Sequence, residues 1–488
     1  MRTPQQSARR ALIKTVSRGG ATPIYRQIYE RVRRGIATGS YQPGSRLPSA
    51  RELASDLGVA RGTVEDAYGL LLAEGYIERR GQQGSVVAHS LSGGDASARL
   101  VAPIASHKTE TRPSRRSGDG PVSPFQLGQP AFDAFPQPAW SRLIVRFARR
   151  SPAGGIGHPD YDGYFPLKIA IARYLGLSRG VACSPGQILI TNGYQAAIDL
   201  VGRSLLRPGD AVWFEEPGYV FGRDALLAAG AHVVPIGVDE DGLNIAEGIA
   251  SAPKAKMIVT TPAHQSPLCV ALSLPRRLQL LEWAREKNAW IVEDDYDGEF
   301  HYGGRPLPAL KSLDRHDRVI YAGSFSKTLL PELRLGYLVV PLALVEPLAA
   351  AARARSAAPG LLMQAVVAEF LNSGQFARHL HRMRRLYADR RQALADALLQ
   401  TFGNLLSIEM ENGGMHLLAR IPASGNDVRI AKIAAASGLA VNALSETYMG
   451  SANQRGLLLG FTNVPVNKAR TLCRSLHREI AGALDGKV

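Results

Sequence analysis

A lysine at the end of an apolar run is the first residue of this chain that could do chemistry. Lys327 lies in "SFSKTLLPELRLGY", residues 324–337, directly after the predicted strand "RVIYAG". A lysine amine can form a Schiff base with an aldehyde cofactor such as pyridoxal 5'-phosphate. The hydroxyls of Ser324 and Ser326 and the guanidinium of Arg334 are suited to the phosphate of that cofactor. The segment therefore predicts a pyridoxal phosphate site.

An acidic segment supplies the groups that the cofactor ring would need. Asp294 in "EDDY" follows a run of Trp, Ile and Val, which predicts a buried strand. A buried carboxylate can hold the pyridine nitrogen of the cofactor protonated. Tyr296, two residues later, can reach the phenolic oxygen of the ring.

Two further turns complete the candidate site. In "TNGYQAAIDLV" a strand leads into a helix, and the free N–H groups of Gly193, Tyr194 and Gln195 suit a phosphate. In "EEPGY" Tyr219 lies on a turn, where its ring can stack on a flat cofactor. Each residue alone has an ordinary structural explanation. Their common place at the ends of predicted strands favours one site.

The elements that must position these residues alternate along residues 121–485. Short apolar runs such as "QILIT", "MIVTTP" and "LGYLVVP" are separated by helical segments. This pattern predicts an α/β fold with a mostly parallel sheet covered by helices on both faces. Ligands bind at the carboxyl ends of strands in such sheets.

Composition and charge limit the class of protein. The chain has 488 residues, a net charge of +16, and no apolar run of the roughly 20 residues needed to cross a bilayer. Three cysteines without a CxxC spacing predict a reducing cytoplasm, no disulfide and no structural zinc. Residues 1–86 hold 14 Lys and Arg against 7 Asp and Glu, whereas residues 87–488 hold 44 against 35. The excess positive charge near the N-terminus favours a polyanionic partner.

Residues 20–88 predict three helices and two short strands. Pro23 opens the first helix, and Ser49 with Glu52 forms a capping box at the second. The strands of "GYIERRGQQGSVV" surround a basic tip. Apolar stripes predict the buried faces of the first and third helices: Tyr25, Ile28, Val32 and Ile36, then Val64, Ala67, Tyr68, Leu71 and Leu72. Residues 89–120, rich in Ser, Gly, Pro and Thr, predict a flexible linker.

This order is the plan of a winged helix-turn-helix domain that binds double-stranded operator DNA. The third helix would enter the major groove, while the preceding helix start and the wing would contact phosphates. The predicted DNA-binding residues are Arg46, Ser49 and Arg51 at one backbone, Arg61 and Thr63 at the groove, and Arg79 and Arg80 on the wing.

Longer motifs carry a resemblance to known families. "RLPSxRxLAxxLGVxRxTVxxAYxxLxxxGY" resembles the GntR family of bacterial regulators. Residues from 121 to about 485 resemble fold-type I aminotransferases, which implies a small C-terminal subdomain beside the large sheet. With "TPAHQSP" and "EDDYDGEFHYGGRPLPALKSLD", the whole chain resembles the MocR subfamily, in which these two parts are fused.

The resemblance implies the same site residues in specific roles. Lys327 would be the Schiff-base lysine, Asp294 the partner of the pyridine nitrogen, Tyr296 the partner of the phenolate and Tyr219 the stacking aromatic. The phosphate cup would consist of Gly193, Tyr194, Gln195, Ser324, Ser326 and Arg334. The resemblance also implies a head-to-tail homodimer, with Tyr161 or Tyr164 reaching the phosphate of the neighbouring subunit.

Three departures from these families bear on function. Ala60 precedes the third helix where a Ser cap is common. Leu458 aligns with the arginine that clamps a substrate carboxylate in aminotransferases, and Arg455 lies three residues earlier. Ser266 stands where aminotransferases have the Asn of Asn-Pro-x-Gly, and Cys269 replaces the expected Gly.

Three hypotheses for the function follow. The first is a transcriptional regulator that senses pyridoxal phosphate or an amine effector. The second is a working aminotransferase with an accessory DNA-binding domain. The third, a regulator whose ligand domain lacks the cofactor, is the weakest because the lysine, the aspartate and the phosphate-cup residues are all present. The missing arginine clamp favours the first hypothesis over the second.

Overall fold

The computed structural model describes residues 22–81, 84–88, 122–150, 161–303, 308–355, 359–422 and 425–484. The chain divides into two compact units, residues 1–117 and 118–488. The predicted linker, residues 89–120, lies outside the described residues. Within the described ranges, no helix is both long enough and apolar enough to span a membrane.

The N-terminal unit contains the three helices and two strands that the sequence predicts. The helices pack around a core that includes Ile28, Val32, Leu53, Val64 and Leu71. The two strands pair antiparallel and form the wing. The elements are α1 (Ile24–Ala37), α2 (Ala50–Leu57), α3 (Arg61–Ala73), β1 (Ile77–Arg79) and β2 (Ser85–Val87).

Side-chain caps distinguish the two helices of the helix-turn-helix. The predicted capping box of α2 is confirmed: Ser49 Oγ accepts from Glu52 N at 3.2 Å, and Glu52 Oε2 accepts from Ser49 N at 2.9 Å. Helix α2 ends at Gly58, whose φ of 63° suits glycine. Helix α3 begins after Ala60, and no side chain caps its first turn.

The structure corrects two details of the predicted helices. Leu72 was predicted on the buried face of α3, but it is 37 % exposed. Val64 and Leu71 are buried, and the position eight residues after Val64 is rotated by about 80° from it, toward the rim. Pro23 caps α1 and does not lie in its first turn.

The large unit is built on an eight-stranded mixed sheet. Its strand order is β3-β10-β9-β8-β7-β4-β5-β6, and the pairs from β9 through β5 are parallel. The strands are β3 (Ile188–Thr191), β4 (Ala211–Glu216), β5 (His232–Asp239), β6 (Gly242–Leu243), β7 (Met257–Thr260), β8 (Trp290–Asp295), β9 (Val319–Ser324) and β10 (Gly336–Val339).

Helices cover both faces of this sheet, and several of its strands are buried along their whole length. Every residue of β3, β7 and β10 is buried. Separate apolar clusters lie against the sheet. The helices are α4 (Gln137–Arg150), α5 (Phe165–Ser178), α6 (Tyr194–Leu205), α7 (Val220–Ala228), α8 (Ile245–Ser251), α9 (Leu274–Lys287), α10 (Leu310–Leu313), α11 (Leu342–Ala354) and α12 (Leu361–Asn372).

The C-terminal part of this unit forms a smaller antiparallel sheet of order β11-β12-β14-β13. The long helix α13 packs against the C-terminal helix, and their apolar faces join the largest core. The elements are α13 (Gln375–Phe402), β11 (Ser407–Glu409), β12 (His416–Arg420), α14 (Asp427–Ala436), β13 (Asn442–Ala443), β14 (Gly456–Gly460) and α15 (Val466–Leu484). The predicted fold class is confirmed.

The uncapped start of α3 generates a prediction. Ala60→Ser should supply a hydroxyl that accepts from a first-turn N–H, and should raise the free energy of opening of α3 by about 0.5–1 kcal/mol. Hydrogen exchange of the α3 amides in the full chain measures this. The matched control is Ser49→Ala, which should lower the protection of α2 by a similar amount. Unchanged exchange in α3 would contradict the prediction.

Candidate functional site

Strand register brings the predicted phosphate-cup residues to one edge of the large sheet. Gly336, the first residue of β10, pairs with Ser324 of β9 on one side and with Thr191 of β3 on the other. Gly193 follows Thr191 by two residues, and Arg334 precedes Gly336 by two. Because β10 runs antiparallel to both neighbours, its start meets their ends.

The backbones at this edge are in close contact. A Cβ added at Gly336 would lie 3.1 Å from Gly193 Cα and 3.1 Å from the carbonyl oxygen of Gly323. Arg334 adopts the left-handed conformation, with φ of 47°. A non-glycine residue in this region is strained, and such residues cluster at functional sites. The Arg334 backbone lies beside Gly193, and the residue is exposed.

The N-terminus of α6 is suited to an anion. Gly193 is its N-cap, with φ of 82°, and within the described residues no side chain caps the first turn, which includes Tyr194 and Gln195. Free N–H groups and the helix dipole favour a negative charge there. Nearby, Ser324 Oγ accepts from Ser326 N at 3.2 Å, which orients the loop before Lys327.

Lys327 is half-buried and its amine is held by a backbone carbonyl. Lys327 Nζ donates to the carbonyl oxygen of Gly128 at 3.0 Å. A Cβ at Gly128 would lie 2.3 Å from Nζ, so only glycine leaves the space that the amine occupies. Gly128 has φ of 68°, which also suits glycine. Sequence reasoning missed Gly128, which is some 200 residues from the lysine.

Asp294 is a buried carboxylate near the end of β8. It is 5 % exposed. Burial raises its pKa well above the ordinary value, the charges of Asp295 and Glu215 act in the same direction, and a hydrogen bond from the Tyr194 hydroxyl opposes them. The side chain of Tyr194 thus approaches Asp294, an interaction that the sequence did not predict. A buried carboxylate of this kind is stabilised by a nearby cation.

Two tyrosines lie on either side of this carboxylate in the sequence. Tyr219 is the N-cap of α7 and is 38 % exposed, and its ring centroid lies 5.9 Å from that of Tyr194. A partly exposed tyrosine ring of this kind can stack on a flat ligand. Tyr296 is half-buried, and its hydroxyl lies 3.1 Å from His264 Nδ1.

A buried glutamate holds the loop that carries His264. Glu215 of β4 accepts from Thr261 N at 2.9 Å, from Thr261 Oγ1 at 2.6 Å and from Gln265 Nε2 at 3.2 Å. Gln265 Nε2 also donates to the carbonyl oxygen of Pro217 at 2.8 Å. These bonds fix "TPAHQSP" against the segment that bears Tyr219.

An apolar cluster surrounds Leu458, the residue that the sequence aligns with the carboxylate-clamp arginine of aminotransferases. Leu458 of β14 is 1 % exposed and packs with Leu268, Leu418, Leu444 and Tyr448. Arg455, the nearest arginine in the sequence, is exposed.

The predicted neighbour-facing tyrosine lies beside the first strand of the sheet. Tyr161 is half-buried, and the carbonyl oxygen of the next residue, Asp162, accepts from Ile190 N at 2.9 Å. Tyr164 N donates to Gln364 Oε1 at 2.8 Å. The reach of Tyr161 to a second subunit stays a prediction.

The predicted DNA-binding residues lie on the surface of the N-terminal unit. Arg61 is exposed and pairs with Glu65 at 2.8 Å. Arg80 pairs with Glu78 at 3.3 Å on the wing. The backbone of Arg46 forms an antiparallel β-bridge with Val86 of β2 in the wing. The other members are exposed, except Thr63, which is half-buried: Ser49, Arg51, Thr63 and Arg79.

Family models match both units of the chain. The model "Bacterial regulatory proteins, gntR family" matches residues 24–87, and "Aminotransferase class I and II" matches residues 132–461. A Rhizobium meliloti protein named "Probable rhizopine catabolism regulatory protein MocR" is 38 % identical over 481 residues, which cover 96 % of this chain and 97 % of that protein. This chain belongs to the MocR-type regulators of the GntR family. It is an HTH-type transcriptional regulator that carries an aminotransferase-like domain.

Other relatives of this MocR-type chain agree. The pyridoxine biosynthesis transcriptional regulator PdxR of Corynebacterium glutamicum is 32 % identical and covers 90 % of this chain and 92 % of its own. Among solved structures, the α-aminoadipate aminotransferase LysN of Thermus thermophilus, complexed with N-(5'-phosphopyridoxyl)-L-leucine, has a TM-score of 0.69 and 27 % identity. It covers 75 % of this chain and 93 % of its own.

The buried carboxylate generates a prediction about stability and pH. Because the folded-state pKa of Asp294 lies above the unfolded value, ionised Asp294 destabilises the folded chain as the pH rises above that unfolded value. Without added pyridoxal phosphate, Asp294→Asn should raise the free energy of unfolding by about 1–3 kcal/mol near neutral pH and above. The gain should disappear in acid, where both states are protonated.

Denaturant unfolding of the full chain across this pH range measures the effect. The exposed Asp389→Asn is the matched control and should leave the free energy of unfolding unchanged. An Asp294→Asn chain that is less stable than the wild type at about pH 8 would contradict the account.

Proposed function

We propose that this regulator binds pyridoxal phosphate at Lys327 and that the bound cofactor, or its reaction with an amine effector, changes the affinity of the protein for operator DNA. The observation that carries the proposal is the pairing of a DNA-binding unit with a site in which Lys327, Asp294 and an uncapped helix start are all retained. Relatives named as regulators and a solved relative holding a phosphopyridoxyl group support it.

The residues of the site fit the cofactor. The carboxylate of Asp294 is buried and needs a cation, which a protonated pyridine nitrogen would supply. The open start of α6 at Gly193 suits a phosphate. Gly128, where a Cβ would clash with Lys327 Nζ, leaves the space that the reactive amine occupies.

Each side chain would have a distinct task. Pyridoxal phosphate, when bound, supplies an aldehyde that condenses with amines and a ring that withdraws electrons. Lys327 would attach the cofactor through Nζ. Asp294 would keep a proton on the ring nitrogen, and Tyr194 would hold Asp294 in place. Tyr219 would cover one ring face and exclude water.

The remaining residues would fix the two ends of the cofactor. The N–H groups of Gly193, Tyr194 and Gln195, the hydroxyls of Ser324 and Ser326, and the Arg334 guanidinium would hold the phosphate. Tyr296 would bond the phenolic oxygen, with His264 orienting the Tyr296 hydroxyl. In a head-to-tail homodimer, Tyr161 of the second subunit would add a contact to the phosphate.

The effector that the site favours is an amine or the cofactor itself. Leu458 and its apolar neighbours offer no cation to a carboxylate, and Arg455 is exposed. An α-amino acid would lose the charge-assisted contact that an arginine clamp provides. The relative named for pyridoxine biosynthesis supports a signal from vitamin B6 chemistry.

Coupling between the two units follows from linkage. A ligand shifts the equilibrium between two arrangements only by its difference in affinity for them. If occupied and empty effector domains hold the DNA-binding units differently, the operator affinity must change with the ligand. Two copies in a homodimer would place two winged helices on one operator.

The second candidate is a working aminotransferase with an accessory DNA-binding unit. It is favoured by the intact arrangement of Lys327 and Asp294, which regulation alone does not require. Multiple turnovers with an amino donor and a keto acid would place this candidate first. A single half-reaction without turnover is the result expected of a sensor.

The attachment site generates a prediction. Lys327→Ala should abolish the visible absorption band that the wild-type chain acquires with pyridoxal phosphate, because it removes the amine held at the Gly128 carbonyl oxygen. Absorption spectroscopy after dialysis measures this. Lys432→Ala, at an exposed position of α14, is the matched control and should keep the band. A band retained in Lys327→Ala would refute this site.

The DNA-binding surface generates another prediction. Arg61→Ala should weaken binding to a fragment of the promoter beside its own gene by about 1–3 kcal/mol, and should leave the absorption spectrum unchanged. Fluorescence anisotropy at several salt concentrations measures both the affinity and its salt dependence. Arg34→Ala, outside the predicted surface, is the control. Equal affinity of Arg61→Ala and the wild type would show that the assignment of α3 is wrong.

A further inference from the structure

The loop after β7 holds a cysteine at an unfavourable backbone position. Cys269 has φ of 68°, in the left-handed region that residues other than glycine rarely adopt. The comparison with aminotransferase sequences expects glycine at this position. Contacts of the Cys269 side chain must therefore offset the strain.

The first such contact is with an imidazole on the smaller sheet. Cys269 Sγ lies 3.3 Å from His416 Nε2, and that nitrogen lies 3.0 Å from the carbonyl oxygen of Pro267. Because a carbonyl oxygen can only accept, Nε2 carries a hydrogen, and the sulfur is placed to accept as well. The sulfur also lies 3.5 Å from the Pro267 carbonyl oxygen and 4.0 Å from the His416 carbonyl oxygen. The 3.3 Å contact with an imidazole N–H donor favours the thiolate.

A second imidazole lies beside the first. The ring of His264 is 6.1 Å from that of His416 and is 5 % exposed. His264 Nδ1 lies 3.3 Å from Asp297 Oδ2 and 3.1 Å from the Tyr296 hydroxyl. Its other nitrogen, Nε2, is buried and forms no hydrogen bond with any residue in the described part of the chain. The charge of the His264 ring and its interaction with Cys269 both lower the pKa of the Cys269 thiol.

The charges in this Cys269–His416–His264 cluster give Cys269 a lower thiol pKa than the other two cysteines have. Burial opposes ionisation, but the charges of His416 and His264 lower the pKa of Cys269 to about 6. Burial raises the pKa of Cys183, and it raises the pKa of Cys473 to about 12. At neutral pH the thiolate is therefore concentrated at Cys269.

The burial of Cys269 and the side chains around it limit the class of reagent that can react with its sulfur. Among the described residues, no group of three or more His, Cys, Asp or Glu side chains is arranged to hold a metal ion. Cys269 is 6 % exposed, which favours small reagents over large ones. We propose that Cys269 is a reactive thiolate, held between His416 and His264, that is oxidised by small hydroperoxides.

The reaction balances with groups on the page. The thiolate sulfur attacks one oxygen of hydrogen peroxide, so that an S–O bond forms and the O–O bond breaks. Sulfur gives two electrons to the peroxide, and the departing hydroxide takes the Nε2 proton of protonated His416 and leaves as water. The product is an uncharged sulfenic acid, which thiols can reduce. Oxidation removes the negative charge of Cys269 and so changes the electrostatic environment of His264, which contacts Tyr296.

Competition among the three cysteines tests the proposal in the full chain. The protein is exposed to hydrogen peroxide near neutral pH, catalase ends the reaction, and the chain is unfolded in guanidinium containing dimedone, which labels sulfenic acid. Mass spectrometry of the peptides should show Cys269 labelled at least about tenfold faster than Cys183, although Cys183 is more accessible. A chain unfolded before peroxide exposure gives the reference, in which the three rates should be similar.

Variants distinguish the contribution of the Cys269 sulfur from that of the neighbouring His416. His416→Gln should slow labelling of Cys269 by about tenfold, because the sulfur loses its charged partner. Cys269→Gly suits the left-handed backbone, so this variant should fold normally and lose the labelled peptide. Cys183→Ser is the matched control, with the Cys269 rate unchanged. Labelling of Cys183 as fast as Cys269 in the folded chain, or no labelling of Cys269, would overturn the proposal.

Discussion

The close approach of two backbones, at Gly336 and Gly193, is the constraint on which the candidate site depends. A Cβ on Gly336 would lie 3.1 Å from Gly193 Cα, so the antiparallel strand β10 can enter between β3 and β9 only with glycine at this point. In that register Arg334 lies near the start of α6, and Ser324 pairs with Gly336. The arrangement of the predicted phosphate-cup residues is thus a property of strand pairing, which the apolar core behind it fixes. Strands hold these three segments more precisely than loops would.

The energetics of the site suit a sensor as well as a catalyst. A buried carboxylate at Asp294 destabilises the empty protein at neutral pH, and a cation bound beside it would remove that cost. Binding then stabilises the conformations that close around the ligand, which is the requirement for a ligand to shift a conformational equilibrium. The apolar packing of Leu458 agrees with the proposed preference for an amine over an α-amino acid. The proposed regulator requires only that its DNA-binding unit respond to the occupancy of the site.

Local patterns predicted much of this structure, whereas contacts between distant residues were beyond them. The capping box of Ser49, the strand before Lys327 and the turn at Gly193 depend on neighbouring residues, and the structure has all three. The hydrogen bond from Lys327 to Gly128 joins residues 199 apart, and Cys269 meets His416 across 147 residues. No periodicity encodes such pairs. The exposure of Leu72 shows a different kind of error: the helical spacing of apolar residues predicts that Leu72 is buried, but Leu72 lies beyond the edge of the core.

The most direct test of the central claim is the affinity of the full chain for its own promoter fragment, measured by anisotropy at fixed salt with and without pyridoxal phosphate. The account predicts that the cofactor changes the affinity of the wild type by at least about fivefold and leaves that of Lys327→Ala unchanged. The opposite result, in which the wild type binds the cofactor by absorption but binds DNA with the same affinity in both conditions, would contradict it.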